Sequence, residues 1–333
     1  VSRVPTPFVS VVIPAYQAAS FVRETIESAL RQTWRRREVV VVDDGSTDGT
    51  ADVAESCGPE VVVLRQENRG GGAARNAGVA VARGDHVVLL DHDDLLEPDA
   101  LERQVAVARR RPESGFVAGD GVRWSDGRAV GSGLLHGRLA DRADASPGGE
   151  WTGDAYRALL RGNAVSTPGQ VLLPRSVVER LGPLSERRDE PFDYEYWLRV
   201  AARYPVTIHR GRCLRWRYRA DSRSGLGPLR RLRWALMDLS VLERELASCP
   251  RPHRRAVRAG LRKRARRARL AWVLGRLRGM EEGRAALRRL AAAAPLSPWP
   301  RLWWLATWAP RVLVEPLAVR GLDLPAATAG APS

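Results

Sequence analysis

Apolar and polar positions follow two rhythms along the first hundred residues, one suited to buried strands and one to amphipathic helices. Val9–Ile13 is a short apolar run closed by Pro14, the pattern of a strand covered on both faces. Ser20 can cap a helix reaching Gln32, with Val22, Ile26, Ala29 and Leu30 on one face. Glu38–Val42 is the next strand, its valines running into Asp43-Asp44-Gly45-Ser46. Thr47–Ser56 reads as a short helix and Val61–Leu64 as a third strand. Gly71–Arg83 is a helix opened by glycines, and His86–Leu90 a fourth strand ending at Asp91. Pro98 then starts a helix with Leu101, Val105 and Ala108 facing inward. Such alternation predicts an α/β fold, a mostly parallel, Rossmann-like sheet flanked by helices.

Beyond Ser114–Ala118 the rhythm weakens. Residues 125–150 are rich in Gly, Asp, Ser and Arg with little period, which predicts a mobile loop region. A helix over Trp151–Arg161, a strand at Gln170–Leu173, a helix over Asp193–Tyr204 and an edge strand at Cys213–Arg219 follow. From Leu229 the composition turns to Arg, Ala and Leu in long helical stretches. The expected division is therefore a domain over 1–227, with halves 1–120 and 121–227, and a basic helical tail over 228–333.

Charge sharpens that division. The formal net charge of the 333-residue chain is +16, yet residues 1–227 hold 32 cations and 31 acids, whereas residues 228–333 hold 22 and 7. Basicity is thus a property of the tail. Leu261, Ala265, Ala268 and Trp272 can share one helix face there, and Trp299, Trp303, Trp304 and Trp308 cluster among prolines. Basic helices followed by aromatics suit an anionic membrane surface, the rival being a helical cap with solvated arginines. No motif supports nucleic-acid binding. No run reaches the roughly 18 apolar residues of a membrane span, and Val1–Pro7 has no apolar signal core. Three cysteines without paired spacing suggest unreactive thiols in a reducing compartment. A cytoplasmic protein is expected, peripheral at the inner face of the cell membrane.

The candidate chemistry lies where strands end, because ligands of open parallel sheets bind beyond the carboxyl ends of strands. Three strand ends bring Pro14-Ala15-Tyr16, Asp43-Asp44 and Asp91-His92-Asp93-Asp94 to one rim. Adjacent carboxylates repel, so the second acid cluster gains by taking a hard cation, Mn²⁺ or Mg²⁺, which substrate phosphates would complete. His92 points to the opposite side of an extended backbone and is read as a bystander.

The blocks VSVVIPAYQA, VVVVDDGSTDGT, NRGGGAARNAG and GDHVVLLDHDDLLEPDAL, in that order over residues 9–101, resemble the nucleotide-sugar half of family 2 glycosyltransferases, which have the GT-A fold. The resemblance implies an inverting hexosyl transfer from a nucleoside-diphosphate sugar to the hydroxyl of a saccharide or lipid-linked acceptor. Pro14 and Tyr16 then lie along the nucleobase, and Asp44 with Asp43 bonds it. Arg75 would neutralise phosphate or bond the nucleotide, and Asn76 would brace the loop. Asp91 and Asp93 match the metal-binding DxD element, with Asp94 sharing metal or ribose. In the second half, Gly182-Pro183-Leu184 and Phe192–Arg199 resemble the acceptor segment, which makes Asp193 the general base. Phe192 stands where the family expects Glu; Asp189 and Glu190 are rival bases. Asp221 stands near where relatives have a metal-binding His. The alternatives are a sugar nucleotidyltransferase of the same fold, disfavoured by Pro14-Ala15-Tyr16-Gln17 in place of a Gly-rich loop, and a non-catalytic nucleotide-binding scaffold.

Overall fold

The computed structural model describes residues 6–125, 127–187, 191–218, 228–249 and 251–277. In chain order the elements begin with β1 (Val9–Ala15), α1 (Val22–Leu30), β2 (Arg37–Asp43), α2 (Thr50–Glu55), β3 (Val61–Arg65), α3 (Gly71–Val81) and β4 (His86–Leu89). Next come β5 (Leu95–Leu96), α4 (Ala100–Arg110), β6 (Val117–Ser125), β7 (Arg128–Ser132), α5 (Gly137–Asp144), β8 (Glu150–Gly153) and α6 (Tyr156–Leu159). The last are β9 (Val171–Pro174), α7 (Arg175–Leu181), α8 (Phe192–Ala201), β10 (Val206–Arg217), α9 (Pro228–Ser248) and α10 (Arg254–Leu277).

One sheet runs in the order β3-β2-β1-β4-β9-β6-β10-β5, with β7 beside β6 and β8 beside β10. The first four strands are parallel, as the alternation predicts. Beyond β4 the sheet is mixed: β9 lies antiparallel to both β4 and β6, whereas β10 runs parallel to β6. The valines of β1 and β2 are buried at every position, each removing about 1.5–3 kcal/mol worth of side chain from water. From α1, Val22, Ile26 and Ala29 enter the same core, and from α4 Leu101 and Val105 do so. Helix α3 approaches the sheet so closely that a Cβ on Gly78 would sit 2.4 Å from Val12 Cγ1, which only glycine allows.

Three expectations for the second half are corrected. Residues 125–150 are not a loop: Gly127, at φ 78°, turns β6 back into β7, and α5 follows, burying Leu139, Ala140 and Ala143. The arginines and aspartates between those apolar positions mask their helical spacing. Trp151–Arg161 is not one helix: Trp151–Gly153 pair with β10 in β8, and helix resumes for a single turn at α6. Cys213–Arg219 is not an edge strand, because its first residues finish the 12-residue β10, which has β6 on one side and β5 and β8 on the other.

Two compact units divide the chain, Val1–Gly225 with Ser240–Gly260, and Leu226–Leu239 with Leu261–Ser333. Ser240–Gly260, beyond the expected boundary at 228, therefore group with the sheet. In the second unit the side chain of Arg264 is buried and its Nε donates to Asp238 Oδ2 at 3.1 Å. Leu261 and Ala265 share a buried face as expected. The side chains of Ala268 and Trp272, and the whole Trp299–Trp308 cluster, lie outside the described residues.

Candidate active site

Because β1 pairs in parallel with both β2 and β4, both acid clusters fall on one rim, flanking the end of β1. Ala15 is level with Asp43, and the Asp44 N–H donates to Ala15 O at 2.8 Å. On the other flank the Leu90 N–H donates to Val12 O at 2.9 Å. His92 ties the two flanks together: its Nδ1 lies 3.2 Å from Pro14 O, a contact that requires the Nδ1–H tautomer. Its carbonyl accepts from Thr25 Oγ1 at 2.8 Å. His92 thus braces the rim instead of facing a ligand.

Tyr16 projects from this rim, 47% exposed, while Pro14 beside it is buried. The next residue, Gln17, adopts φ 50°, a left-handed conformation costly for a non-glycine residue. Bonds to the segment from Ser46 to Thr50 hold it there. Gln17 N donates to Ser46 Oγ (3.0 Å), Gln17 Nε2 to Thr47 Oγ1 (3.1 Å), Ala18 N to Thr50 Oγ1 (2.8 Å) and Ala19 N to Asp48 Oδ2 (3.0 Å). The DGSTDGT motif therefore zips the turn that presents the tyrosine.

Asp43 and Asp44 differ. Asp43 accepts from Ser46 N at 3.2 Å and shapes its own turn. Asp44 is buried, and its carboxylate takes three donors from the segment after β3: Gln66 Nε2 (2.7 Å), Arg69 N (2.9 Å) and Gly70 N (2.8 Å). It organises the entry to α3.

From α3, Arg75 reaches Asp91. Its guanidinium is buried, pairs with Asp91 Oδ1, donates to Gly71 O (2.9 Å) and stacks 4.1 Å from the ring centroid of Phe192. The guanidinium expected to neutralise phosphate or bond the nucleotide is thus paired with a protein carboxylate in this structure. Asp91 keeps 31% of its side chain exposed, and Thr167 Oγ1 stands 3.4 Å from its Oδ2. Asp94 is fully buried, its Oδ1 accepting from Arg217 N (3.0 Å) and its Oδ2 from Thr167 Oγ1 (3.2 Å). Burial, with the like charges of Asp91 and Asp93 added, holds the Asp94 carboxyl well above the usual carboxylate range. That enclosure suits a brace and does not favour the metal or ribose role expected of Asp94. Among the described residues no three His, Cys, Asp or Glu side chains converge on one cation position. Asp91 and half-buried Asp93 remain as oxygen donors at the rim.

The acceptor segment joins this assembly at the start of α8. Asp193 is half-buried in the first turn, its Oδ1 accepting from Tyr194 N at 2.7 Å, while Pro191 occupies the cap position. Asn76 does brace the preceding loop, its Nδ2 donating to Leu184 O (3.0 Å) and its Oδ1 accepting from Leu184 N (2.9 Å). Trp197 is buried against Phe116, their ring centroids 5.1 Å apart, and is core. Asp189, Glu190 and Asp221 lie outside the described residues. Two residues of the site carry no sequence-level expectation, Thr167 and Arg217. Thr167 opens a T-x-x-Q turn, in which Gln170 Oε1 accepts from Ser166 N (3.0 Å) and Thr167 N (3.2 Å). That spacing is a readable capping signal, but it does not reveal the contact with the acids. Arg217 ends β10 and its Nε donates to Asp93 O at 2.9 Å.

The mixed sheet, with acids at the ends of its parallel strands, is the GT-A fold of the solved glycosyltransferases on which it superimposes. Residues 10–145 match the family model described as Glycosyl transferase family 2, so this stretch carries the family 2 glycosyltransferase pattern on that fold. An uncharacterized glycosyltransferase of Rickettsia typhi is 30% identical over 202 residues, 60% of this chain and 61% of its own length. The chain therefore spans about three fifths of that relative. Among solved structures, S. aureus TarS 1–349 in complex with UDP superimposes with a TM-score of 0.62 at 18% identity, covering 86% of this chain and 81% of that one. The mannosyltransferase PcManGT from Pyrobaculum calidifontis, in complex with GDP-Man and Mn²⁺, gives 0.55 at 21% identity, covering 95% and 87%.

Proposed function

We propose that this chain transfers a sugar from a nucleoside-diphosphate sugar to an acceptor hydroxyl, with inversion, in the assembly of a cell-envelope polysaccharide, a glycolipid or a glycosylated natural product. The observation that carries this reading is the chain of contacts from Asp91 through Arg75 to Phe192, which joins the DxD turn to the residue preceding Asp193. This contact supports reading the donor-side and acceptor-side candidates as one site.

The donor's base would lie along Pro14 against the exposed ring of Tyr16, with Asp43 at the adjoining strand end. Asp91 and Asp93 would hold Mn²⁺ or Mg²⁺. Two carboxylates fit such an ion, since Mg²⁺ in particular keeps waters and is completed by substrate phosphates. When bound, it would neutralise charge on the departing diphosphate. Arg75, Thr167 and Arg217 keep the acid turn in register. Asp193 would accept the proton of the acceptor hydroxyl as that oxygen attacks opposite the leaving diphosphate.

Location is read from charge. On α10, Arg254, Arg255, Arg258, Arg262, Lys263 and Arg266 are exposed, whereas Ala256, Val257, Leu261 and Ala265 are buried. Over Arg254–Arg266 these apolar positions are buried, so a peripheral contact with anionic lipid there would use the cations. Among the described residues no helix is long and apolar enough to cross a membrane.

The test is a panel of UDP-, GDP- and dTDP-sugars, screened with Mn²⁺ and Mg²⁺ for binding and for slow hydrolysis. The expected result is saturable binding of one donor class and release of nucleoside diphosphate. Pyrophosphate release from a nucleoside triphosphate and a sugar phosphate would replace this reading with the nucleotidyltransferase.

A further inference from the structure

Across β9 from β4, level with the acid turn, β6, β7 and β10 enclose a cleft of about 420 Å³ lined by Asp120, Gly121, Gly131, Gly133, Arg210 and Arg212, with Val122 and Ala129 completing it. Its size is that of a small-ligand site. Three of the lining positions are glycines, so the lining there is bare backbone. A Cβ on Gly131 would lie 3.4 Å from Arg123 Cδ, and one on Gly133, at φ 66°, would point at the Asp120 carboxylate.

A break in the ladder between β6 and β10 shapes the opposite wall. The register shifts between Ile208 and Arg212 and again between Arg212 and Leu214. Bulges of this kind re-aim side chains, and here Arg210 and Arg212, two residues apart, both line the cleft. Gly211 between them lies against Arg103 and His209, where a Cβ would sit 2.5 Å from Arg103 Cδ.

The two arginines are not equivalent. Asp120 is buried; its Oδ1 accepts from Leu134 N (2.7 Å) and Leu135 N (3.1 Å), and its Oδ2 pairs with Arg210 at 2.8 Å. Arg210 also pairs with Asp144 of α5 at 2.8 Å, so its charge is taken up twice. Arg212, level with Asp120 in the ladder, is exposed and makes no hydrogen bond or ion pair among the described residues. The lining thus holds one acid, one arginine neutralised by it, and one arginine left over.

We infer that this cleft binds a polyhydroxylated chain carrying an anionic group, with Arg212 on the anion and the Asp120–Arg210 pair and bare glycine backbone on the hydroxyls. A guanidinium recognises carboxylate or phosphate with two parallel hydrogen bonds, and a fixed acid–base pair offers both an acceptor and donors to sugar hydroxyls. An acidic saccharide and a polyol phosphate share this chemistry. Naming the ligand a segment of the acceptor rests on the glycosyltransferase reading; the binding itself does not.

Calorimetric titration of the full chain with digalacturonate, glycerophosphoglycerol and neutral galactobiose tests it. At least one acidic probe is expected to bind about tenfold more tightly than galactobiose, and the preferred probe tells carboxylate from phosphate. Arg212→Gln is expected to weaken that binding about tenfold and Arg212→Glu to abolish it, while Arg128→Glu, an exposed cation of β7 outside the lining, leaves it unchanged. Melting curves of each variant separate lost binding from lost fold. Equal binding of the neutral probe, unaltered binding by folded Arg212→Glu, or no saturation by either acidic probe at about 10 mM overturns the inference. Nucleotide-sugar binding is titrated alongside. A wild-type chain that binds a donor but neither acidic probe refutes the cleft alone, and one that binds an acidic probe but no donor refutes the catalytic reading alone.

Discussion

The ring of Phe192 covers the guanidinium of Arg75, ring centroid to guanidinium carbon 4.1 Å, at the position where family 2 relatives are expected to carry a glutamate. An acid there would compete with Asp91 for Arg75. The aromatic ring instead shields the Arg75–Asp91 pair and adds a cation–π contact, worth about 0.5–2 kcal/mol once desolvated. Phe192→Ala is expected to lower kcat/KM about 3- to 30-fold, and Phe192→Tyr to restore most of it. Wild-type kcat/KM in the folded alanine variant would show that the ring does not position Asp91.

Asp193 follows that ring directly and its Oδ1 is held by Tyr194 N at 2.7 Å. Asparagine keeps the shape and that acceptor but cannot take a proton. Asp193→Asn is therefore expected to leave donor Kd unchanged and reduce transfer about 10²- to 10⁴-fold. Should Glu190→Gln be the inactive variant and Asp193→Asn an active one, the base is Glu190.

Asp93 can be tested without dismantling its turn. Asp94 N to Asp91 O at 3.0 Å, Arg217 Nε to Asp93 O at 2.9 Å and Arg217 N to Asp94 Oδ1 at 3.0 Å all survive truncation of the Asp93 side chain. Asp93→Ala is expected to melt like the wild type yet lose transfer by about three orders of magnitude, with its Mn²⁺ activation curve flattened. Full turnover of that variant at saturating donor removes Asp93 from the metal assignment.

What could be read from the chain tracks how local its causes are. Val9–Ile13 and Val39–Val42 are legible as strands because burial on both faces leaves an unbroken apolar run. The acid clusters are legible because strand order places them on one rim. The β7–α5 stretch is not, since its few buried side chains are diluted by arginine and aspartate. Thr167 and Arg217 lie 76 and 123 residues beyond Asp91 and Asp94, and nothing local marks which acid each will meet. The contacts of Arg75 and Asp44 are hidden for the same reason: Phe192 and the Gln66–Gly70 segment come from elsewhere in the chain.

Asp44 illustrates how two readings separate. As a base-binding acid its loss would weaken donor binding and little else. As the acceptor of Gln66 Nε2, Arg69 N and Gly70 N, its replacement by alanine orphans donors at a buried site, costing about 2–4 kcal/mol. Urea denaturation of Asp44→Ala is expected to show that loss, with Asp44→Asn roughly halfway between. Unchanged stability with lost donor affinity would return Asp44 to the nucleobase.

His209 gives the fold a dependence on acid that is separate from catalysis. It is buried on β10, its Nε2 4.0 Å from Cys213 Sγ, and burial lowers its pKa from 6.5 to about 4. Above the unfolded value of 6.5 neither state holds the proton, so the contribution to stability is complete. Between 6.5 and about 4 the unfolded chain binds a proton that the folded chain refuses, so stability falls as pH falls. From pH 7 to pH 5 this one group should cost about 2 kcal/mol. The check is urea denaturation of wild type and His209→Gln at both pH values. The glutamine variant starts less stable at pH 7, having lost the imidazole's packing, but declines about 2 kcal/mol less on acidification. Equal declines in the two proteins would mean that His209 takes up its proton in the folded state as readily as in the unfolded one.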